Sequence, residues 1–420
     1  MTSWIDTGDD SGFYLDILPY GIFSTENLDA RIGVAIGTYI LDLKALAQEG
    51  FFTTIDFDSS ALMGSTLNDY AALGKQVHKQ VRDLLQELLA HATRRGAELR
   101  DNQDRRDRVL VKRSQATLHL PMSIGDYTDF FVGPYHAQNP GSTLHRNYLN
   151  QPIGYHGRAS SVVISGTPIR RPKGQFLLDN NPIFGDCQKL DFEVEFAAFI
   201  GQGSEHGSAI PVDEAEDHIF GFVIMNDWSA RDIQNWESSP LGPFNGKNFA
   251  TTISPWVVPL EALEPFREHP VSSRPLLPYL QQKREDSVYS VPITVSLNGK
   301  QLQSYVVFSF AQMLAHHTAG GCPLRTGDLI ATGTLSGPSR KELGCLLEAT
   351  KNGSEPYELH TSGPETQNIV RRYLEDGDII ELKASGFGSC SGRIVSPEQC
   401  AQCFLGQART PRLGARALKC

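Results

Sequence analysis

The chain has 420 residues, a formal net charge of −10 at pH 7 and an apolar fraction of 40%. This length allows one large domain or two, with ample material for a packed core. The acidic balance argues against a nucleic-acid or anionic-membrane surface as the main partner. An anionic substrate would need local positive charge, from a metal ion or from a few well-placed Arg and Lys side chains.

The N-terminus predicts no export signal. Residues 1–13 are acidic, with no basic start and no apolar run of the signal-peptide type. No segment approaches the roughly 18 apolar residues that a membrane-spanning helix needs. The seven cysteines are scattered and odd in number, which favours reduced thiols over a disulfide framework. We therefore expect a cytoplasmic protein.

Residues 1–118 are predicted to form a small β-rich domain with a helix. Within them, 15–44 contain short apolar segments punctuated by glycine, which is typical of the strands of a small barrel. From about 67 to 99 the apolar residues follow the 3.6-residue period of a helix. The highly charged stretch 100–113 indicates a surface connection, and we place the domain boundary near residue 118.

Residues 119–420 are predicted to form a larger, mainly β domain, so the fold class is mainly β of the α+β type. Apolar strands are expected at 162–165, 220–226, 291–297, 329–333 and 379–382. The clearest helix covers 309–317, and the basic tail from about 407 is expected to be flexible. Strands and helices do not alternate as they do in a parallel βαβ sheet.

An acidic pair in an apolar run is the most informative local feature. In the predicted strand 190–196, Glu193 and Glu195 point to the same face. Their charges repel unless a cation lies between them, and Ca²⁺ and Mg²⁺ prefer oxygen ligands. The alternative is a half-exposed strand with a solvated acidic face, which Asp191 continues.

Three further clusters carry polar groups suited to the same chemistry. They are Ile124-Gly-Asp-Tyr-Thr-Asp-Phe with His136, Asn226-Asp-Trp-Ser-Ala-Arg-Asp with Gln234, and Lys247 with Thr251 and Thr252. Asp129 and Asp227 would complete an all-oxygen site for Ca²⁺ or Mg²⁺, whereas no His or Cys spacing typical of zinc is present. Asp227 and Arg231, four residues apart, are equally compatible with a helical ion pair.

His136 is the natural general base, because the unperturbed pKa of histidine lies near neutral pH. A general base of this kind needs a carboxylate to fix its tautomer, and Glu348 is a candidate. A surface or packing histidine is the alternative interpretation.

These clusters, in this order, resemble the fumarylacetoacetate hydrolase family of metal-dependent carbon–carbon hydrolases. The resemblance covers nearly the whole chain. The matching strings are Leu18-Pro-Tyr-Gly-Ile-Phe-Ser-Thr, Arg31-Ile-Gly-Val-Ala-Ile-Gly, His119-Leu-Pro with Ile124-Gly-Asp-Tyr-Thr-Asp-Phe, Gly154-Tyr-His-Gly-Arg-Ala-Ser-Ser, Ser165-Gly-Thr-Pro-Ile-Arg-Arg-Pro, Asn226-Asp-Trp-Ser-Ala-Arg-Asp-Ile-Gln, Pro240-Leu-Gly-Pro-Phe and Thr251-Thr-Ile-Ser-Pro-Trp-Val-Val-Pro.

The resemblance implies a small N-terminal SH3-like barrel, a C-terminal β-roll catalytic domain over residues 119–420, and a homodimer. It implies hydrolysis of a 1,3-diketo acid, most directly 4-fumarylacetoacetate to fumarate and acetoacetate, the last step of tyrosine and phenylalanine degradation.

The family motif also implies roles for individual residues. The Ca²⁺ ligands match Asp129, Glu193, Glu195 and Asp227, and a neighbouring Mg²⁺-type site matches Lys247 and Thr251. The general base matches His136, with Glu348 as its orienting carboxylate. Polar groups around the leaving carbanion match Arg231, Gln234 and Lys247, and substrate contacts match Tyr155, Gln234 and Thr334.

The chain departs from the family pattern at substrate contacts. Phe131 and Ser238 stand where the family usually has tyrosines. The loop between His136 and Gly154 is shorter, which leaves open whether Arg146 binds substrate. These changes favour, as an alternative, hydrolysis of a different acylpyruvate or diketo acid. A non-catalytic, metal-stabilised dimeric scaffold is the alternative from another class.

Overall fold

A computed structural model of the chain describes residues 2–8, 12–139, 143–271, 274–296, 300–302, 306–360 and 368–398. Strands predominate among these residues, as the sequence predicts, and they form two sheet-bearing parts. The predicted tail from about 407 and the end of the predicted strand 291–297 lie outside the described residues. None of the described helices is long and apolar enough to cross a membrane.

The N-terminal part contains a five-stranded antiparallel sheet in the order β4-β3-β2-β1-β5. Its strands are β1 Tyr20–Ser24, β2 Arg31–Ile36, β3 Tyr39–Asp42, β4 Leu110–Lys112 and β5 Thr117–His119. Its helices are α1 Leu43–Gln48, α2 Asn68–Ala71, α3 Lys75–Leu89 and α4 Gln103–Val109. The helix predicted over 67–99 is therefore two helices, followed by a short 3₁₀ turn.

The prediction that 100–113 is a plain surface connection is wrong. The side chain of Asn102 accepts a hydrogen bond from the backbone N–H of Arg105 and caps α4, and Val109 is fully buried at the end of that helix. The chain then pairs with β3 as the edge strand β4. The charged residues cover the outer side of these elements, and for that reason the stretch reads as polar.

The C-terminal part is built on a mixed eight-stranded sheet. Seven strands follow the order β7-β6-β22-β13-β14-β16-β8, and β17 also pairs with β14. A second sheet has the order β21-β20-β25-β26-β9, and β10 and β11 form a separate hairpin.

The C-terminal part comprises the strands β6 to β26 and the helices α5 to α9. The strands are β6 Tyr127–Phe130, β7 Gly154–His156, β8 Val162–Ile164, β9 Ile169–Arg170, β10 Lys173–Leu178, β11 Asn181–Asp186, β12 Leu190–Asp191, β13 Val194–Ile200, β14 Ile219–Asp227, β15 Ser229–Ala230, β16 Thr251–Ile253, β17 Val258–Pro259, β18 Arg267–Glu268, β19 Val288–Tyr289, β20 Ile293–Val295, β21 Lys300–Leu302, β22 Leu329–Ala331, β23 Tyr357–His360, β24 Asn368–Arg371, β25 Ile379–Ala384 and β26 Gly388–Val395. The helices are α5 Pro134–Gln138, α6 Arg231–Glu237, α7 Asn245–Asn248, α8 Phe310–Thr318 and α9 Leu346–Ala349.

The eight-stranded sheet is covered on both faces. Along β14, Phe222 and Ile224 enter the core of the C-terminal part, whereas Val223 and Met225 enter a core shared with the N-terminal part. The continuous apolar run that predicts this strand reflects burial on both sides. The predicted helix near 309–317 is α8, which begins with a capping box between Ser309 and Gln312.

The two parts are joined directly at β1. Tyr20 exchanges two backbone hydrogen bonds with Val257, at 2.9 and 2.7 Å. A side chain at Gly21 would clash with Trp256, because a Cβ atom there would lie 2.6 Å from the indole ring. Glycine thus lets the N-terminal sheet approach the segment that carries the buried Trp256 and leads into β17 of the eight-stranded sheet.

Candidate active site and cation site

Three predicted acids converge on one buried point. Asp129 lies on β6, Glu195 on β13 and Asp227 at the end of β14, and each is at most 3% exposed. Their carboxylate oxygens lie within 4.8 Å of one another. Acids from separate strands of one sheet thus form a compact group, although up to about a hundred residues separate them in the chain.

The group is chemically incomplete without a cation. Among the described residues, both oxygens of Glu195 and Oδ1 of Asp129 have no hydrogen-bond partner. Burial and the charge of Asp227 raise the pKa of Asp129 to about 8. Burial and both neighbouring carboxylates also raise the pKa of Glu195 well above its usual range. Orphaned carboxylate oxygens in a buried site suit Ca²⁺ or Mg²⁺, so the residues fit a hard divalent ion.

Lys247 supplies a fixed positive charge beside this group. Its ammonium donates to Asp227 Oδ2 at 2.6 Å and also to Glu193 Oε2. Burial lowers the pKa of Lys247, but the two carboxylates outweigh burial and raise it overall. Thr251 donates to the other oxygen of Asp227 at 3.1 Å. That Lys247 and Thr251 adjoin a second cation site stays a prediction.

Glu193 differs from the other three predicted acids. The predicted strand is interrupted, since β12 ends at Asp191 and β13 begins at Val194. Glu193 lies in this break with both oxygens in ion pairs, one with Lys247 and one with Arg231 Nη1 at 2.7 Å. Burial raises its pKa, yet these two cations outweigh burial and lower it. Glu193 therefore stands beside the three-carboxylate group and not within it.

The interpretation of Asp191 as part of a solvated acidic face is wrong. Its side chain is fully buried and accepts hydrogen bonds from the backbone N–H groups of Leu346 and Leu347, both at 2.8 Å. It also accepts from Arg231 Nε at 3.0 Å. Asp191 therefore fixes the start of α9, the helix that carries Glu348. Arg231 pairs with Asp191 and Glu193, so the helical pair with Asp227 is not formed.

His136 and Glu348 meet across 212 residues of chain. Nδ1 of His136 lies 2.8 Å from Glu348 Oε2, and both side chains are buried. Burial raises the pKa of Glu348, but His136, through its charge and hydrogen bond, helps to outweigh burial and holds that pKa at about 2. Glu348 is therefore ionised and accepts the Nδ1 proton, which leaves Nε2 of His136 as the free acceptor.

The backbone around the pair is closely fitted. His136 lies on α5, the helix that begins directly after Gly133. A Cβ atom on Gly133 would come within 2.3 Å of the carbonyl oxygen of Thr334. This approach places the predicted substrate contact Thr334, which is 2% exposed, next to the turn that launches the histidine.

The sequence interpretation missed three neighbours of the pair. Glu348 also accepts hydrogen bonds from Asn139 Nδ2 at 2.6 Å and Ser336 Oγ at 2.7 Å. Cys345 Sγ lies 3.1 Å from the same carboxylate. The sequence has no His or Cys spacing typical of zinc, and a spatial group of possible ligands from distant segments could not be seen in it. One atom each of His136, Cys345 and Glu348 lie within 4.8 Å of one another. The local signal in the sequence is the Cys-x-x-Glu spacing between Cys345, which precedes α9, and Glu348 on that helix, because the histidine comes from a distant segment.

The remaining predicted contacts lie around the carboxylates. Tyr155, on β7, donates to Asp227 Oδ2 at 3.1 Å. Gln234, on α6, accepts from Arg231 Nη1 at 3.2 Å. The structure thus brings both residues to the charged cluster, and their contact with a substrate stays a prediction.

The residues at which the chain differs from the family pattern lie in different parts of the site and its surroundings. Phe131 packs edge-on against His136, with ring centroids 5.5 Å apart, and also against Tyr148. The buried hydroxyl of Tyr148 has no hydrogen-bond partner among the described residues. Ser238 donates to the carbonyl of Gln234 at the end of α6. Arg146 is exposed.

Known proteins of similar sequence fall in one family. The model described as fumarylacetoacetase N-terminal matches residues 16–121, and the one described as fumarylacetoacetate (FAA) hydrolase C-terminal matches 133–395. The chain is 45% identical to "Fumarylacetoacetase" of Emericella nidulans, over 95% of this chain and 99% of that protein. The identity to the human protein of that name is 42%, over 94% and 98%.

Solved structures of similar shape agree on the fold. A fumarylacetoacetate hydrolase from Exiguobacterium antarcticum has a TM-score of 0.50 and 17% identity, covering 90% of this chain and 99% of that one. A maleylpyruvate hydrolase from Sphingobium has a TM-score of 0.50 and 16% identity, covering 90% and 100%. At such identities these two show the fold alone. With two family models over most of its length and relatives above 40% identity, the chain belongs to the fumarylacetoacetate hydrolase family.

Proposed function

We propose that the protein hydrolyses the carbon–carbon bond of a 1,3-diketo acid, and that 4-fumarylacetoacetate, cleaved to fumarate and acetoacetate, is its substrate. The name fumarylacetoacetase of relatives at 42–45% identity over nearly the full length supports this substrate. The observation that carries the proposal is the buried His136–Glu348 pair together with the buried group of three carboxylates, two of which keep oxygens without a partner among the described residues.

The proposed cofactor is a hard divalent cation. Asp129, Glu195 and Asp227 would hold Ca²⁺, with Glu193 next to them, and Lys247 with Thr251 would adjoin a Mg²⁺ site. When bound, the ion supplies Lewis-acid polarisation of the diketo-acid oxygens and holds negative charge that develops on them.

His136 acts as the general base in this proposal. Glu348 holds the Nδ1 proton, so the lone pair of Nε2 can accept a proton from water. Nε2 lies 3.7 Å from Glu193 Oε1, so it faces the carboxylate side of the site and makes no direct hydrogen bond to that acid. The resulting hydroxide attacks the carbonyl that becomes the fumarate carboxyl group.

Bond cleavage then needs charge stabilisation and a returned proton. The electrons of the broken carbon–carbon bond stay on the acetoacetate half as an enolate. The ammonium of Lys247 and the guanidinium of Arg231 are buried in the charged cluster. There they would stabilise the negative charge of the enolate more strongly than they would in water. The proton held on Nε2 of His136 returns to the enolate carbon, so one water molecule is consumed, and the new carboxylic acid releases one proton when it ionises to fumarate.

Phe131 and Ser238 favour a second candidate, the hydrolysis of a different acylpyruvate or diketo acid. Phe131 offers no hydroxyl beside His136, and the hydroxyl of Ser238 already bonds to the backbone of α6. Losing one hydrogen bond to a charged substrate costs about 1.5–3 kcal/mol, which is enough to change substrate preference.

We further propose a cytoplasmic location and a homodimer. The four described cysteines are free, which supports a reducing compartment. The hairpin of β10 and β11 exposes Leu177, Leu178 and Phe184, the last at 74%, and exposed apolar groups on one element are typical of an interaction surface.

The homodimer is tested by sedimentation of the purified chain. We expect a mass of twice the 46.3 kDa of one chain. Phe184→Asp should shift the protein towards the single-chain mass, because it would bury a charge in the proposed contact between subunits. Exposed Leu241 provides the matched control, Leu241→Asp, outside the hairpin. A wild-type protein that sediments as one chain would contradict the homodimer.

The hydrolase is tested with His136→Ala in an assay of fumarylacetoacetate turnover. Removing a positioned general base is expected to lower kcat by about 10²–10⁴-fold while cation binding is retained. His91→Ala, at an exposed histidine of the N-terminal part, should leave kcat unchanged. Turnover that survives in His136→Ala would remove the mechanism. A higher wild-type kcat/KM for simple acylpyruvates than for fumarylacetoacetate would replace the first candidate by the second.

The cation site is tested by thermal unfolding of Glu195→Gln. In the cation-free protein this neutral residue relieves the repulsion with Asp129 and Asp227, so the melting temperature should rise. Adding Ca²⁺ should raise the melting temperature of the wild type and have much less effect on the variant. Glu268→Gln, at an exposed acid, should keep the wild-type melting temperature without the cation and the wild-type response to Ca²⁺. A wild type that is indifferent to Ca²⁺ and Mg²⁺ would contradict a hard-cation site.

A further inference from the structure

The proton-transfer pair has a third buried partner with its own metal chemistry. Cys345 Sγ lies 3.1 Å from Glu348 Oε2 and 3.8 Å from His136 Nδ1. All three residues are at most 7% exposed. We infer that His136, Cys345 and Glu348 form a second cation site, for a soft divalent ion of the zinc class, and that occupancy of this site blocks turnover. The inhibitory effect, though not the binding, rests on the proposed function.

The donor atoms distinguish this site from the carboxylate group. An imidazole nitrogen, a thiolate sulfur and one carboxylate oxygen are the ligands that zinc prefers, whereas an all-oxygen group suits Ca²⁺ and Mg²⁺. A zinc-class ion would therefore bind the His136, Cys345 and Glu348 group, and Ca²⁺ or Mg²⁺ would bind the neighbouring carboxylate group.

The spacing of the donors is close to what a zinc-class ion requires. Bonds of roughly 2.0–2.3 Å place the ligand atoms of a tetrahedral ion roughly 3–4 Å apart. The three donor atoms here are separated by 2.8, 3.1 and 3.8 Å. Three protein ligands also leave a fourth position for water. Small side-chain shifts, without movement of the backbone, are enough to admit the ion.

The neighbours of Glu348 preorganise its carboxylate. Asn139 donates to Oε1, and Ser336 donates to Oε2. Asp191 fixes the first turn of α9 through the N–H groups of Leu346 and Leu347. Outer partners of this kind hold a ligand in place before the ion arrives and raise its affinity.

The charges balance when the ion binds. The Cys345 thiol loses its proton to solvent as the sulfur–metal bond forms, and no oxidation or reduction occurs. One thiolate and one carboxylate then neutralise the two positive charges of the ion, so the buried group, which carries one negative charge without the ion, becomes neutral.

Occupancy removes the base that the proposed reaction needs. An ion on Nδ1 of His136 displaces the proton that Glu348 now accepts, and the neutral ring must then carry its proton on Nε2. Nε2 is the atom that would take a proton from water. The ion therefore blocks proton transfer directly, even when the carboxylate group is filled.

The test uses cadmium as an optical probe on the full-length protein in excess Ca²⁺ and Mg²⁺, which keep the carboxylate group filled. The thiolate-to-cadmium absorption in the ultraviolet reports the cysteine bond whether or not the enzyme turns over. We expect one equivalent of this band in the wild type that Cys345→Ser lacks. Cys390→Ser, at another buried cysteine, is the matched control and should retain it.

Turnover is measured in parallel with zinc, and each variant is compared with its own uninhibited rate. The zinc concentration that halves the rate should rise at least about tenfold in Cys345→Ser and stay constant in Cys390→Ser. Cys345→Ala, with its melting temperature recorded, should match Cys345→Ser, which separates ligand loss from misfolding. Equal cadmium bands in wild type and Cys345→Ser, or full turnover with the band saturated, would overturn the inference. An inactive wild type that still shows the band would contradict the proposed function and leave the binding site established.

Discussion

The arrangement of this protein depends on one electrostatic constraint, the burial of six carboxylates with too few fixed cations. Lys247 and Arg231 neutralise part of this charge, and each bonds to two acids. Glu348 is satisfied by His136 and its polar neighbours. Asp129 and Glu195 keep oxygens without a partner among the described residues, and burial raises their pKa values. The result is a buried concentration of negative charge that the proposed hard divalent ion would neutralise.

The fold exists to hold these charges at fixed positions. The eight-stranded sheet is packed on both faces, so the strands that carry Asp129, Glu195 and Asp227 cannot move apart to relieve repulsion. Ion pairs link the parts in series, from Asp227 through Lys247 and Glu193 to Arg231. Asp191 then continues the link to α9 and to the His136–Glu348 pair. The proposed cation site and the proposed base are therefore joined through one series of ion pairs and hydrogen bonds.

The sequence predicts the strands well because their apolar runs are long and buried, and it identifies the charged residues through motifs. It could not assign their individual environments. Asp191, Glu193 and Glu195 share one alternating pattern, but the strand breaks between Asp191 and Val194, and this break sends the three side chains to different partners. For Cys345 the sequence offers only its spacing from Glu348, because its proximity to His136 arises from the packing of segments 209 residues apart.

A crystal structure of the protein grown with Ca²⁺ would show whether the three buried carboxylates bind a hard divalent ion. We expect one ion between Asp129, Glu195 and Asp227, with carboxylate oxygens at about 2.3–2.6 Å. Lys247 should remain in its ion pairs with Asp227 and Glu193. A map in which the ammonium of Lys247 or a water molecule fills that position, with no calcium at saturating concentration, would contradict this expectation.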